Sequence, residues 1–128
     1  MSDRNETIKR IKNALQKRSG KPWSVTGGRG TAWGRITIDA PPARRTWFHR
    51  LKAGVVTYRS EDFEEYDSNE PGGNMGPTDR AELGKLLGFD QPVHDQGVSI
   101  AAGNNYYQEY IDRAEGRAPT KIAQPYWD

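Results

Sequence analysis

From Trp23 to Pro42 the chain alternates apolar and polar residues around a glycine-rich centre: Trp23-Ser24-Val25-Thr26, then Gly27-Gly28-Arg29-Gly30, then Ala32 to Ala40. A period of two fits a half-buried strand and no helix, and glycine closes tight reversals at little steric cost. The segment therefore predicts an antiparallel β-hairpin over 23–40. On its second strand Gly34, Ile36, Ile38 and Ala40 share one face, and Trp33, Arg35, Thr37 and Asp39 share the other. Pro41-Pro42 ends the run. Trp33 is expected in the core before it is expected as a stacking platform, because aromatic side chains usually bury most of their area.

Three helices are expected around this hairpin. From Glu6 to Arg18, Ile8, Ile11, Ala14 and Leu15 recur at helical spacing, with Lys9, Arg10 and Lys17 pointing away, and Ser19-Gly20 stops the helix. A second helix spans 78–88, with Thr78 as N-cap, Asp79 in the first turn, Leu83, Leu86 and Leu87 on one face, and Gly88 at the end. A third spans 105–115, with Tyr106, Tyr107, Tyr110, Ile111 and Ala114 on an apolar arc and Gln108, Glu109, Asp112 and Glu115 on the polar one. Val98-Ser99-Ile100 reads as a short strand, and the aromatic tail ending in Tyr126-Trp127-Asp128 is expected to dock on the body.

The stretch 43–77 is the hardest to place. Thr46 to Lys52 is expected as a short helix and Val55 to Tyr58 as a further strand. Glu61, Asp62, Glu64, Glu65, Asp67 and Glu70 then read as an exposed acidic loop, and the charged stretch 43–77 as a whole reads as an acidic loop or insertion. These pieces make one α+β domain over 1–128: an antiparallel sheet of three or four strands with the three helices mainly on one face. With no cysteine, the chain forms no disulfide, carries no thiol nucleophile and offers no cysteine ligand to zinc or iron–sulfur clusters. Apolar residues make up only 34%, so the four Trp, six Tyr and three Phe are expected to supply much of the core. No apolar run approaches a membrane span, and the charged N-terminus lacks a signal-peptide core, which points to a cytoplasmic protein.

Charge is divided by position. Met1 to Arg59 carries 14 Lys and Arg against 3 Asp and Glu, and Ser60 to Asp128 carries 5 against 14. Such polarity suggests a basic surface for a polyanion. Its candidate phosphate contacts are Lys9, Arg10, Lys12, Lys17, Arg29, Arg35, Arg44 and Arg45, with Trp33 as a base-stacking partner. Glu61, Asp62, Glu64 and Glu65 offer an alternative contact, to a basic protein. The tip Gly27, Gly28, Arg29 and Gly30 presents backbone N–H groups and a guanidinium suited to phosphate. It lacks both the Gly-Lys-Ser/Thr ending of a P-loop and the following helix of a dinucleotide fingerprint, so a plain turn is expected first.

The two histidines, His49 and His94, lie far apart and outside any metal-ligand spacing. His94 and Asp95 are neighbours, and on an extended strand they would face opposite sides. The acidic run lacks the EF-hand pattern. No catalytic residue, metal or cofactor is expected on these grounds.

The segment Trp23 to Pro42, the capped leucine helix at 78–88, Gln96-Gly97-Val98-Ser99-Ile100, Tyr106-Tyr107 and the closing Gln124-Pro125-Tyr126-Trp127-Asp128 together resemble a family of small uncharacterised bacterial proteins. The hairpin is also similar to small α+β domains associated with the large polyvalent proteins of phages and conjugative elements. Those resemblances imply a compact α+β domain in mobile-element or genome-maintenance settings and bring no active-site residues. The leading expectation is a non-enzymatic accessory protein that contacts nucleic acid. A protein-interaction module comes next, and a small phosphate-ligand binder at the glycine tip last.

Overall fold

The computed structural model describes residues 3–57 and 59–120. The docking expected of the aromatic tail concerns residues outside these. Helix α1 spans Arg4–Ser19. It starts two residues before the expected boundary because Asp3 caps it, its carboxylate accepting from the Glu6 N–H at 2.7 Å. Gly20, at φ +74°, closes it in the left-handed conformation. Its inward stripe, Thr7, Ile11 and Leu15, is buried.

The hairpin forms with shorter strands than the alternation suggests. Strands β1 (Ser24–Gly27) and β2 (Ile36–Asp39) pair antiparallel, Val25 opposite Ile38. Between them Gly30–Ala32 makes a single 3₁₀ turn, and the Gly28 N–H donates to the Arg35 carbonyl at 2.7 Å. Trp33 and Arg35 therefore lie in the reversal and not on a strand face. Further along, β3 (Trp47–Leu51) and β4 (Phe63–Asp67) come next, then helix α2 (Pro77–Leu86), strand β5 (Val98–Ile100) and helix α3 (Asn104–Ala114). Strand β5 pairs with the other edge of β2, giving a three-stranded antiparallel sheet in the order β1-β2-β5. Ile36 and Ile38 of the central strand are fully buried. Ile11, Leu15, Trp23, Leu83, Ile100 and Ile111 complete the surrounding core, where α1 packs on β1 and α3. Tyr107 reaches across from α3 and donates its hydroxyl to the Gly34 carbonyl at 2.5 Å.

The stretch 43–77 differs most from expectation. The segment expected as a helix is strand β3, and much of the expected acidic loop is strand β4. They form a second, two-stranded antiparallel sheet with Phe48 opposite Tyr66, His49 opposite Glu65 and Arg50 opposite Glu64. The physical reason is cross-strand matching. Arg50 Nε meets Glu64 at 2.8 Å, its guanidinium lies 4.6 Å from the Tyr66 ring centre, and the Phe48 and Tyr66 rings stand 5.9 Å apart. Val55–Thr57 is no strand, and Val56 is 89% exposed; Tyr58 lies outside the described residues.

Two helix details also change. Gly76 occupies the N-cap position of α2, with Pro77 at the first helical position in place of the Thr78 start. In α3, Glu109 and Asp112, assigned to the polar arc, are buried. Arg113 pairs with Glu109 at 3.0 Å, and Asp112 collects donors from beyond the helix end, so neither carboxylate stands unpaired in the interior. Among the described residues no helix is long and apolar enough to cross a membrane.

Candidate functional site

No Asp or Glu occurs between Glu6 and Asp39, and that stretch carries Lys9, Arg10, Lys12, Lys17, Arg18, Lys21, Arg29 and Arg35. The fold gathers it into α1 and the hairpin that α1 packs against. Lys9, Lys12 and Lys17 are exposed on the side of α1 opposite Ile11 and Leu15, and none forms an ion pair among the described residues. Arg29 and Arg35 are likewise exposed in the reversal. Trp33 between them is 54% exposed, which corrects its placement in the core. Arg4 joins helix to reversal. It donates to the Gly28 and Trp33 carbonyls, each at 2.9 Å, and its guanidinium lies 4.0 Å from the Trp33 ring centre.

The remaining candidate cations are held internally. Arg10 pairs with Glu115 at 3.2 Å. Arg44 grips the buried Asp79 through two bonds, Nε to Oδ2 at 3.0 Å and Nη2 to Oδ1 at 2.6 Å. Arg45 pairs with Asp39 at 3.3 Å, and its Nε is buried without a hydrogen-bond partner, so this guanidinium turns inward. Burial raises the Asp39 carboxyl above its usual range, against the pull of the Ala40 N–H and Arg45, while nearby Asp95 raises it further. At the glycine tip the Gly28 N–H is taken by the Arg35 carbonyl, and the Arg4 guanidinium sits against Gly27.

The four acidic contact candidates are largely engaged as well. Glu64 pairs with Arg50 and Glu65 with Arg80 at 3.4 Å, while Asp62 accepts from the Arg59 N–H and the Thr57 hydroxyl. Those two bonds hold the Asp62 carboxyl below its usual range. Glu61 lies 3.8 Å from Arg59, in an exposed pairing.

The histidines are where the fold departs furthest from sequence spacing. His49 Nε2 lies 2.6 Å from Asp95 Oδ2, and His94 Nδ1 lies 2.9 Å from Asp95 Oδ1. Both imidazoles of the chain thus meet one buried carboxylate. The opposite-faces expectation for His94 and Asp95 fails because they sit in a turn, closed by the Gly97 N–H on the His94 carbonyl at 2.9 Å. His94 Nδ1 also lies 3.1 Å from the Gln96 N–H, so it either accepts from Gln96 or, carrying a proton, donates to Asp95. Glu65 completes the group, with ligand atoms of His49, Glu65 and Asp95 all within 4.8 Å of one another. The exposed side of His94 borders a groove of about 700 Å³ lined by Phe89, Pro92, Val98 and Tyr110.

No sequence signal links His49 to Asp95, because residues from β3 and from the turn before β5 meet only through the second sheet. The acid-free run before Asp39, by contrast, is visible in the sequence as it stands. Comparison with protein-family models, with curated proteins and with solved structures finds no match.

Proposed function

We propose that this is a nucleic-acid-contacting accessory protein that binds phosphates through Lys9, Lys12, Lys17, Arg29 and Arg35 and stacks a base on Trp33. The observation that supports it is an exposed tryptophan set within an acid-free, cation-bearing stretch. An exposed indole with the Arg4 guanidinium against it, and Arg29 and Arg35 close by in the chain, suits an unpaired base joined to a phosphate backbone. Arg4 steadies the ring from one side, which lowers the ordering cost of stacking. Arg10, Arg44 and Arg45 leave the contact set because their charges are already matched by Glu115, Asp79 and Asp39. The acidic alternative is less favoured for the same reason, since Glu64 and Glu65 are matched inside the protein.

The test is fluorescence anisotropy with single- and double-stranded DNA and RNA across a range of salt. Five phosphate contacts give a log–log slope of about −4.5 for duplex and about −3.5 for single strands. Trp33→Ala should weaken single-strand binding by about 1–3 kcal/mol and duplex binding less. Absence of binding to all four at low salt overturns the proposal.

A further inference from the structure

We propose that His49, Glu65 and Asp95 form a binding site for a divalent first-row transition metal ion, of the zinc or manganese class, at the junction between the second sheet and the body of the protein.

The site is assembled by the backbone before any ion arrives. His49 and Glu65 are directly opposed in the β3–β4 register, which sets their Cβ atoms about 5 Å apart on one face of the sheet. Asp95 approaches from the turn before β5, and its own carbonyl accepts from the Met75 N–H at 2.9 Å, which anchors the turn. The Asp95 carboxylate is buried, whereas His49 and Glu65 are open to water, so the group has a fixed floor and an accessible side.

The chemistry of the donors matches the ion. One neutral imidazole and two carboxylates carry the charge that balances a divalent cation. The imidazole nitrogen favours zinc or iron over calcium and magnesium, which take oxygen ligands, and the two carboxylates also admit manganese. Bonds of about 2.0–2.2 Å place neighbouring ligand atoms a little over 3 Å apart. The His49–Asp95 separation of 2.6 Å opens by less than 1 Å to admit the ion, and the widest separation in the group, within 4.8 Å, closes by at most about 1.5 Å. Each carboxylate also has an outer partner that orients it. His94 faces Asp95 Oδ1, and Arg80, itself fixed to the Val93 carbonyl at 3.2 Å, holds Glu65 Oε2. Three protein ligands leave at least one coordination position for water on the exposed side.

An ion here ties β3, β4 and the 93–97 turn together, where at present one histidine–carboxylate contact and the Arg80–Glu65 pair do so. The probes are Zn²⁺ and Mn²⁺ added separately to the metal-stripped full chain, with binding read by titration calorimetry and by the thermal midpoint. One equivalent of at least one ion should bind, and a hundredfold excess over Kd should raise the midpoint by about 10 °C. His49→Gln and Glu65→Gln should each weaken binding at least tenfold and cut the shift, measured from each variant's own metal-free midpoint, to about half or less; both side chains are exposed. Asp67→Asn and Asp90→Asn, exposed acids outside the group, should leave binding unchanged. Failure of both ions to bind at one equivalent, or binding that survives His49→Gln and Glu65→Gln, overturns the proposal.

Discussion

Asp112 is 1% exposed and accepts from Gln108, Arg117, the Thr120 N–H and the Thr120 hydroxyl at 2.8–3.0 Å. Burial alone would raise its carboxyl, and the four donors outweigh burial, holding it far below the usual carboxylate range. A folded-state value below the unfolded one means stability that is complete above about pH 4 and lost as the pH falls further. Asp112→Asn should therefore cost about 2 kcal/mol at pH 7, and its difference from wild type should shrink from about pH 4 downward, measured by urea unfolding at both ends. Tyr107 shows the same economy of placement. The residue is 7% exposed and its hydroxyl donates to the Gly34 carbonyl, so Tyr107→Phe should cost about 1 kcal/mol and Tyr107→Ala about 3 kcal/mol or more. The tyrosine arc was legible from spacing. The Asp112 cluster was not, because its donors lie up to eight residues away, past the helix end.

At the scale of elements, α1, the hairpin, α2, β5 and α3 could each be placed from local pattern, because each carries its own period, cap or stop signal. The second sheet could not. Its acidic strand looks like a solvated loop until the cross-strand partners Phe48 and Arg50 are set beside it. A two-stranded sheet is marginal alone, so this one depends on its anchors. Trp47 bridges to Asn74, and its indole lies against Gly76, where no Cβ fits. Gly76 has an ordinary φ of −77°, so Gly76→Ala tests that fit alone and should cost about 1–3 kcal/mol through displacement of Trp47. Pairing also moves the vulnerable site. A Glu-specific protease should cut first after Glu61 or Glu70, on either side of β4; a first cut after Glu64 or Glu65 would show that the second sheet opens freely.

For the whole molecule, the charge division survives folding in a thinned form. Arg44 and Arg45 sit in the basic half of the chain, yet each serves a carboxylate: Asp79 on α2 and Asp39 at the end of β2. Replacing both with Ala should lower stability by about 2 kcal/mol, since among the described residues Asp79 then keeps Lys21 alone as an ion-pair partner, and should leave the salt slope of nucleic-acid binding unchanged. Replacing Lys9 and Lys12 should do the reverse, reducing the slope by up to about 2 with little effect on the thermal midpoint. A slope that responds to the Arg44 and Arg45 pair would mean that those ion pairs open to receive phosphate.

What the sequence determined by itself was everything governed by neighbours a few residues apart. The period of two between Trp23 and Pro42, the helical stripes of Ile11 with Leu15 and of Tyr107 with Ile111, and the stop at Gly20 all act within one turn or one reversal. Tertiary structure alone decided which charges remained free and which side chains became a site. The pairings of Arg44 with Asp79, Arg10 with Glu115 and His49 with Asp95 join residues 35, 105 and 46 positions apart. A charge or imidazole carries no local record of its distant partner, because Coulomb attraction and ligand geometry depend on separation in space, and that separation exists only once both sheets have closed on the core.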